Sequence, residues 1–202
     1  MVARFAGGLV DEGDLIARSQ KGNVSAFNQL VPAYQDTVYS VALRILGDPD
    51  GAADATQEAF ISAFQSIRSF RGGMFKVWLL RIVTNACYDA LRSKKRRPTD
   101  SLDEMAEDED YSGGPASTAF ESPEEHAERV DRQAEVQRGL QALPADQRVV
   151  VILSDVHGLS YDEIAAVTKS ELGTVKSRLN RGRTHLRDYL RARCVMPSTM
   201  SS

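Results

Sequence analysis

Two stretches of this chain carry residue types suited to gripping a polyanion. The first runs Phe70-Arg-Gly-Gly-Met-Phe-Lys-Val-Trp-Leu-Leu-Arg-Ile-Val-Thr-Asn and continues to Lys94-Lys-Arg-Arg97, with eight basic residues between Arg71 and Arg97 against one acid, Asp89. Cations hold phosphates, and aromatic or apolar pockets accept bases that have left the stack. A glycine-containing loop beside such a helix is suited to enclosing one extruded base. Spacing alone also allows Phe75 and Trp78 to be ordinary core residues, and Lys94–Arg97 to be a solvated helix end.

The second stretch is Gly158-Leu-Ser-Tyr-Asp-Glu-Ile-Ala-Ala-Val-Thr-Lys-Ser-Glu-Leu-Gly-Thr-Val-Lys-Ser-Arg. Ser160 and Glu163 form a capping box, each satisfying an unpaired amide at a helix start. Ile164, Ala165 and Val167 give that helix an apolar face. After a short turn, Ser170 is placed to cap a second helix with a buried stripe of Val175, Leu179, Gly182 and Leu186. Thr174, Lys176, Ser177, Arg178, Asn180 and Arg181 fall on its early turns, which enter the major groove in helix-turn-helix proteins. Arg and Lys bond guanine edges or phosphates, and Asn, Ser and Thr reach bases or backbone oxygens. A basic surface helix in a bundle would share the pattern.

Both stretches sit in helical surroundings. From Asp14 to Arg97, residues such as Phe27, Leu30, Val31, Tyr34, Val38, Val41 and Ile45 recur three and four apart. Gly47-Asp-Pro-Asp-Gly51 is a stop-and-restart signal, Ser69 to Gly73 reads as a loop, and Phe75 to Lys95 predicts a long helix. A second helical block runs from about Glu124 to Ala192, with Leu140, Leu143, Val149, Val150, Ile152 and Leu153 as its core. No strand series is apparent. The expected fold is all-α: two small helical domains, residues 12–97 and 129–193, joined by a flexible acidic linker over residues 98–128, the second domain containing the helix-turn-helix.

The net charge of -3 conceals a strong segregation. Residues 98–128 hold eleven acids and no Lys or Arg, whereas residues 169–193 hold eight bases against Glu171 and Asp188. Basic, acidic, basic is the pattern of two polyanion-binding patches separated by a segment that avoids one. Cys87 and Cys194 lack a second thiol at metal or redox spacing, which favours a reducing compartment. No run reaches membrane-spanning length, and the apolar stretch Ala6 to Val10 is too short for a signal core, so a cytoplasmic protein without membrane insertion is expected. His126, His157 and His185 stand isolated, with no nucleophile motif and no strand-borne phosphate loop, so neither catalysis nor a cofactor is expected.

The two blocks, in this order, resemble the extracytoplasmic-function group of bacterial sigma factors. The resemblance covers about Asp14 to Leu190. Gly158-Leu-Ser-Tyr-Asp-Glu-Ile-Ala followed by Gly173-Thr-Val-Lys-Ser-Arg-Leu is similar to the family's upstream-element-binding domain. Phe70-Arg-Gly with Phe75-Lys-Val-Trp-Leu-Leu-Arg-Ile-Val-Thr-Asn is similar to its promoter-melting segment, and Asp54-Ala-Thr-Gln-Glu-Ala-Phe60 to its polymerase-docking helix. The resemblance implies that Asp54, Gln57 and Glu58 face the clamp helices of the largest subunit of RNA polymerase core, and that the second domain meets the flap of the second-largest subunit. Asn85 would contact a flipped base of the downstream (-10) element, enclosed by the Phe70 to Phe75 loop. Phe70, Arg71, Lys76, Arg81, Arg92, Lys95 and Arg96 would hold promoter DNA there, while Lys176, Ser177, Asn180 and Arg181 would read the upstream (-35) element. An anti-sigma factor that holds the chain inactive is compatible with the family.

Departures from the pattern are a shorter loop after Phe70-Arg-Gly, Ala53 where an acid is frequent, Lys169 in place of a turn glycine, and Glu171 in place of a proline. Lys169 then requires a turn that tolerates a side chain, since glycine's freedom at positive φ is lost, while Glu171 suits the first turn of a helix. The linker acids fit two roles, a nucleic-acid mimic in the polymerase's RNA exit path or a solvated spacer. Two other classes share parts of the sequence. A conventional operator-binding regulator needs the helix-turn-helix but neither the docking helix nor the basic aromatic segment, and an interaction adaptor needs only the Gln57 to Phe64 helix.

Overall fold

The computed structural model describes residues 11–96 and 122–194, and every regular element among them is helical. The first domain comprises α1 (Glu12–Gln20), α2 (Val24–Leu46), α3 (Pro49–Ser66), a 3-10 turn (Ile67–Ser69) and α4 (Phe75–Arg96). The second comprises α5 (Pro123–Gln141), α6 (Ala145–Val151), a π turn (Ile152–Val156), α7 (Tyr161–Thr168) and α8 (Leu172–Cys194).

Local chemistry explains the boundaries. Asn23 caps α2 by accepting from the Ala26 amide. That helix stops at Gly47, whose φ of 73° is left-handed and whose N–H returns to the Leu43 carbonyl. Asp48 then caps α3 through the Gly51 amide, with Pro49 at its first position. The stop-and-restart signal is thus three adjacent residues with three separate tasks.

Within the first domain, α3 offers Ala52, Ala55, Ala59 and Ala63 to the core, all buried. Small side chains three and four apart let α2 and α4 approach closely, and Val38, Val41, Ile45, Leu79, Leu80 and Val83 fill the space between. Leu140, Leu143, Val149, Val150, Ile152 and Leu153, the core expected of the second domain, are all buried.

The second helical block begins at Pro123, one residue before the Glu124 expected from the sequence. Ser122 and Glu125 form the reciprocal capping box that starts α5. The acids at 100–110 and the breaker cluster at 112–115 lie outside the described residues.

The two domains pack together rather than standing apart, and their buried residues form one continuous cluster. The seam joins α4 to α7, and α2 to α5, α6 and the π turn. Its centre is polar. The last carbonyls of α2, orphaned as in any helix end, are capped from the other domain. Gln137 donates to the Leu43 carbonyl (3.2 Å), Gln141 to that of Arg44 (2.9 Å), and Arg148 to that of Ile45 (2.5 Å). Arg148 also donates to the Gln141 side chain and to the Gln141 and Leu143 carbonyls. It is buried with carbonyl and amide oxygens as its hydrogen-bond partners, and burial pulls its pKa below the ordinary arginine value. The negative ends of α2 and α5 stand in for a counter-ion.

Candidate nucleic-acid interface

The basic aromatic segment folds as a short loop feeding α4. Gly72 and Gly73 adopt φ of 97° and 91°, a left-handed path that glycine takes without strain. Phe70 closes the loop: Gln20 donates to its carbonyl (2.8 Å), and its ring packs 5.4 Å from Trp78 and 5.6 Å, edge-on, from Phe75. Tyr34 extends this cluster against Phe75. Phe70 and Phe75 are buried and Trp78 partly buried, so all three are packed residues, and Phe70 and Trp78 also wall a cavity.

That cavity measures about 280 Å³ and is lined by Phe70, Arg71, Gly72, Met74, Val77, Trp78 and Arg81 on one side. Glu163, Ala166 and Val167 of α7 line the other. Met74, at 57% exposure, stands out among the loop residues; its place in a two-glycine loop was the signal that sequence reasoning passed over.

Asn85 is exposed on the same face of α4, two turns beyond Trp78, roughly 10 Å along the axis. It does not line the Phe70 cavity. It lines a second groove, about 660 Å³, between α3 and α4, in the company of Asp54, Glu58, Ser62, Ile82 and Asp89. The structure therefore sets Asn85 beside two of the docking residues and apart from the loop expected to work with it. Asp54, Gln57 and Glu58 are all exposed on α3. Ile61, at 47% exposure, continues their stripe and was legible as the next apolar residue at helical spacing.

The cations of the loop and α4 divide. Arg71, Arg81 and Lys95 are exposed. Lys76 is partly buried and donates to the His157 carbonyl across the seam (3.4 Å). Arg92 pairs with Asp89 (2.9 Å), and Arg96 folds back on the Arg92 carbonyl. Such exposed pairs hold each other weakly.

In the helix-turn-helix, the capping box forms as expected, Ser160 with Glu163. Lys169 adopts φ 51°, the one left-handed non-glycine among the described residues. Ser170 does not cap α8: its hydroxyl donates to the Thr168 carbonyl and accepts from Arg178 (2.9 Å). Arg178 also pairs with Asp146 of α6 (2.9 Å), so its guanidinium braces the turn against α6. Lys176, Ser177, Asn180 and Arg181 are exposed, with Arg181 held over its own helix by the Ser177 carbonyl and hydroxyl. Thr174 is partly buried. Arg183, unremarked in the sequence, grips Asp155 at the π turn and holds that carboxyl below the usual carboxylate range.

Cys87 is buried and its thiol is pushed up to about 12 by desolvation, so it is a packing residue. Among the described residues no cluster of His, Cys, Asp and Glu has metal-binding geometry, and no helix is long and apolar enough to cross a membrane.

A melting-type basic aromatic helix and a helix-turn-helix on one all-α chain define a promoter-recognition subunit, and the comparisons with known proteins agree. Residues 30–97 match the family Sigma-70 region 2, and residues 133–186 match Sigma-70, region 4. The chain is 40% identical over 171 residues to the RNA polymerase sigma-H factor of Pseudomonas aeruginosa, spanning 84% of this chain and 88% of that one. It is 38% identical over 174 residues to the ECF RNA polymerase sigma factor SigE of Mycolicibacterium smegmatis, a match over 86% of this chain and 65% of that longer relative. The sigma factor RpoE of Bartonella quintana, solved in complex with the anti-sigma factor NepR, superposes with a TM-score of 0.64 at 26% identity, over 83% of this chain and 98% of that one. The chain belongs to the extracytoplasmic-function sigma factors, which direct RNA polymerase to promoters.

Proposed function

We propose that this sigma factor docks core polymerase through the exposed α3 face of Asp54, Gln57, Glu58 and Ile61, and engages promoter DNA through two separate cationic surfaces. The observation that carries the residue assignment is the α3–α4 groove, where the docking carboxylates and Asn85 share one surface. A base leaving the duplex at that surface meets Asn85 while the clamp of the largest subunit holds the other wall. Arg71, Arg81 and Lys95 track the backbone of the melted strand. Lys176, Ser177, Asn180 and Arg181 contact the upstream element, with Arg178 positioning the helix. Thr174 lies at the border of that surface, and Lys76 is freed for DNA once the seam opens.

The chain performs no chemistry of its own in this scheme. Unstacking costs a few kcal/mol per flipped base, and polymerase contacts offset it, so the free protein binds promoters weakly. It acts in the cytoplasm, where polymerase is. An anti-sigma partner of the kind that holds the Bartonella quintana protein is the expected restraint. The flap of the second-largest subunit receives the second domain.

Run-off transcription on a promoter library, with core polymerase alone and with this protein added, tests the scheme. The expected result is new, promoter-specific transcripts that Asp54→Ala and Glu58→Ala reduce together. Unchanged transcription in both variants would reject the docking face.

A further inference from the structure

The groove between α1 and the glycine loop takes no part in the assignments above. It measures about 430 Å³. One wall is the α1 stripe Gly13, Ile16, Ala17 and Gln20, three and four residues apart on one helix face. Gly13 and Ala17 are small enough to leave the hollow, and Ile16 gives it an apolar patch. The other wall is the turn after α3, with Arg68, Phe70, Arg71 and Gly72. Gln20 holds the two walls in register, its Nε2 donating to the carbonyls of Ile67 (3.3 Å) and Phe70 (2.8 Å). The positive charge of the groove is unspent. Arg68 and Arg71 are exposed, and neither has a hydrogen bond or ion pair among the described residues. The acids at the start of α1 are engaged elsewhere: Asp11 accepts from the Gly13 amide (3.4 Å), Glu12 from the Tyr34 hydroxyl, and Asp14 from Arg18 (3.4 Å).

We propose that this groove is a second single-strand subsite, in which Arg68 and Arg71 hold a phosphate of the melted strand and the wall of Ile16, Ala17 and Gln20 receives the adjoining base. The subsite rests on the function proposed above. Three observations select a DNA strand as the occupant. Two unpaired guanidiniums at the rim match a phosphodiester, for which a planar fork is the suited donor. The apolar patch with a polar end at Gln20 matches a base, which offers a flat face and a polar edge. The path is also continuous: Phe70, Arg71 and Gly72 line this groove and the Phe70 cavity alike, so the loop is a saddle over which a strand leaving the α4 face descends towards α1. A base captured at Asn85 alone re-pairs as soon as that one contact breaks. A second grip on the same strand makes re-pairing wait for both, because a loosened site rebinds at the high effective concentration set by the short tether. Arg68 therefore acts on how long the opened state lasts, and Asn85 on how fast it forms.

The test uses holoenzyme on the promoter that gives the most transcript in the run-off library. Opening rate and open-complex lifetime after heparin challenge are measured for the wild type, Arg68→Ala, Arg68→Lys and Ala17→Glu. Arg68→Ala should shorten the lifetime roughly two- to five-fold, with core affinity and opening rate unchanged. Ala17→Glu, at an exposed helix position on the opposite wall, should do the same by repelling phosphate, and Arg68→Lys should recover part of the loss. A scan of methylphosphonate linkages, each neutralising one phosphate of the non-template strand in a premelted template, locates the contact. One linkage should shorten the wild-type lifetime and have no further effect in Arg68→Ala. If every linkage acts alike in the two proteins, the subsite is overturned. A fall in core affinity in Arg68→Ala, with the lifetime of formed complexes intact, would make the groove a polymerase contact and likewise overturn it. Should the wild-type protein give no transcript from any template, the proposed function falls and the subsite with it; transcripts without a masked linkage reject the subsite alone.

Discussion

Arg148 of α6 donates to the carbonyl oxygen of Ile45, 103 residues away in sequence, and so ties the end of α2 to the second domain. The same guanidinium holds the carbonyls of Gln141 and Leu143 within its own domain. Its burial with carbonyls as its hydrogen-bond partners makes it an organiser of both the seam and the α5–α6 turn.

Replacing it should therefore be costly. Arg148→Met keeps much of the volume but strands several buried carbonyls, each of which had a charged donor. The expected loss is about 3 kcal/mol, read as a lower urea midpoint with an unchanged slope. A loss below about 1 kcal/mol would show that water replaces the guanidinium at little cost.

Two glycines of α8 should respond to alanine with opposite signs. A Cβ on Gly182 would sit 2.7 Å from Val151 Cγ2 and 3.3 Å from the Gln147 carbonyl oxygen. Val151 is buried and β-branched, so it yields little. Overpacking outweighs the gain in helix propensity, and Gly182→Ala should lose about 1–2 kcal/mol. A Cβ on Gly173 meets nothing within 4 Å, and Gly173→Ala should gain up to about 1 kcal/mol. Thermal unfolding of the two variants provides the comparison.

His157 gives the fold an acid limit. Burial first, then the neighbouring charges of Lys76 and Arg44, push its ring down to about 4, and its buried Nε2 has no partner. Between that value and the ordinary 6.5 the unfolded chain binds a proton that the folded chain refuses. Stability from this group is whole above pH 6.5 and drains away as pH falls toward 4. His157→Gln should flatten the fall in melting temperature across that window. An equally steep fall in the variant would assign it to other groups.

The DNA-facing residues separate by step. Asn85→Ala should slow duplex opening more than recruitment, measured by permanganate reactivity against holoenzyme binding. Arg181→Ala should weaken upstream-element binding by roughly 1–3 kcal/mol if it grips a base edge bidentately. Equal losses at both steps in both variants would contradict the division of labour.

Much of this was legible in the residues themselves. Ser160 and Glu163 announced the start of α7, and the Phe75–Lys95 periodicity the span of α4, because caps and amphipathic stripes act over a few residues; Lys169 keeps the left-handed φ of 51° that the loss of a glycine there argued against. The all-α class followed for the same reason. The seam was not legible. Its bonds end on the carbonyls of Leu43, Arg44 and Ile45, which every residue type offers equally, and its donors Gln137 and Gln141 look like surface residues of any helix. Arg178 read as one more cation of the recognition helix because its partner Asp146 is 32 positions away, in another helix. Asn85 was set with the Phe70 loop by the family resemblance; on the face it shares with Trp78 it lies two turns further along α4, in the groove with α3.

The π turn at Ile152–Val156 winds wider than the α-helix that precedes it, and the Leu159 amide reaches back to the Leu153 carbonyl across it. One residue more than an α-helical path requires is lodged there, which phases everything downstream. Deleting a single residue in that turn would swing α7 and α8 by about 100° about the α6 axis. Asp155 would leave Arg183, and the groove-reading side chains would point away from the promoter with every one of them still in place. In this subunit the aim of the reading head is set by a winding defect 20 residues upstream of Lys176.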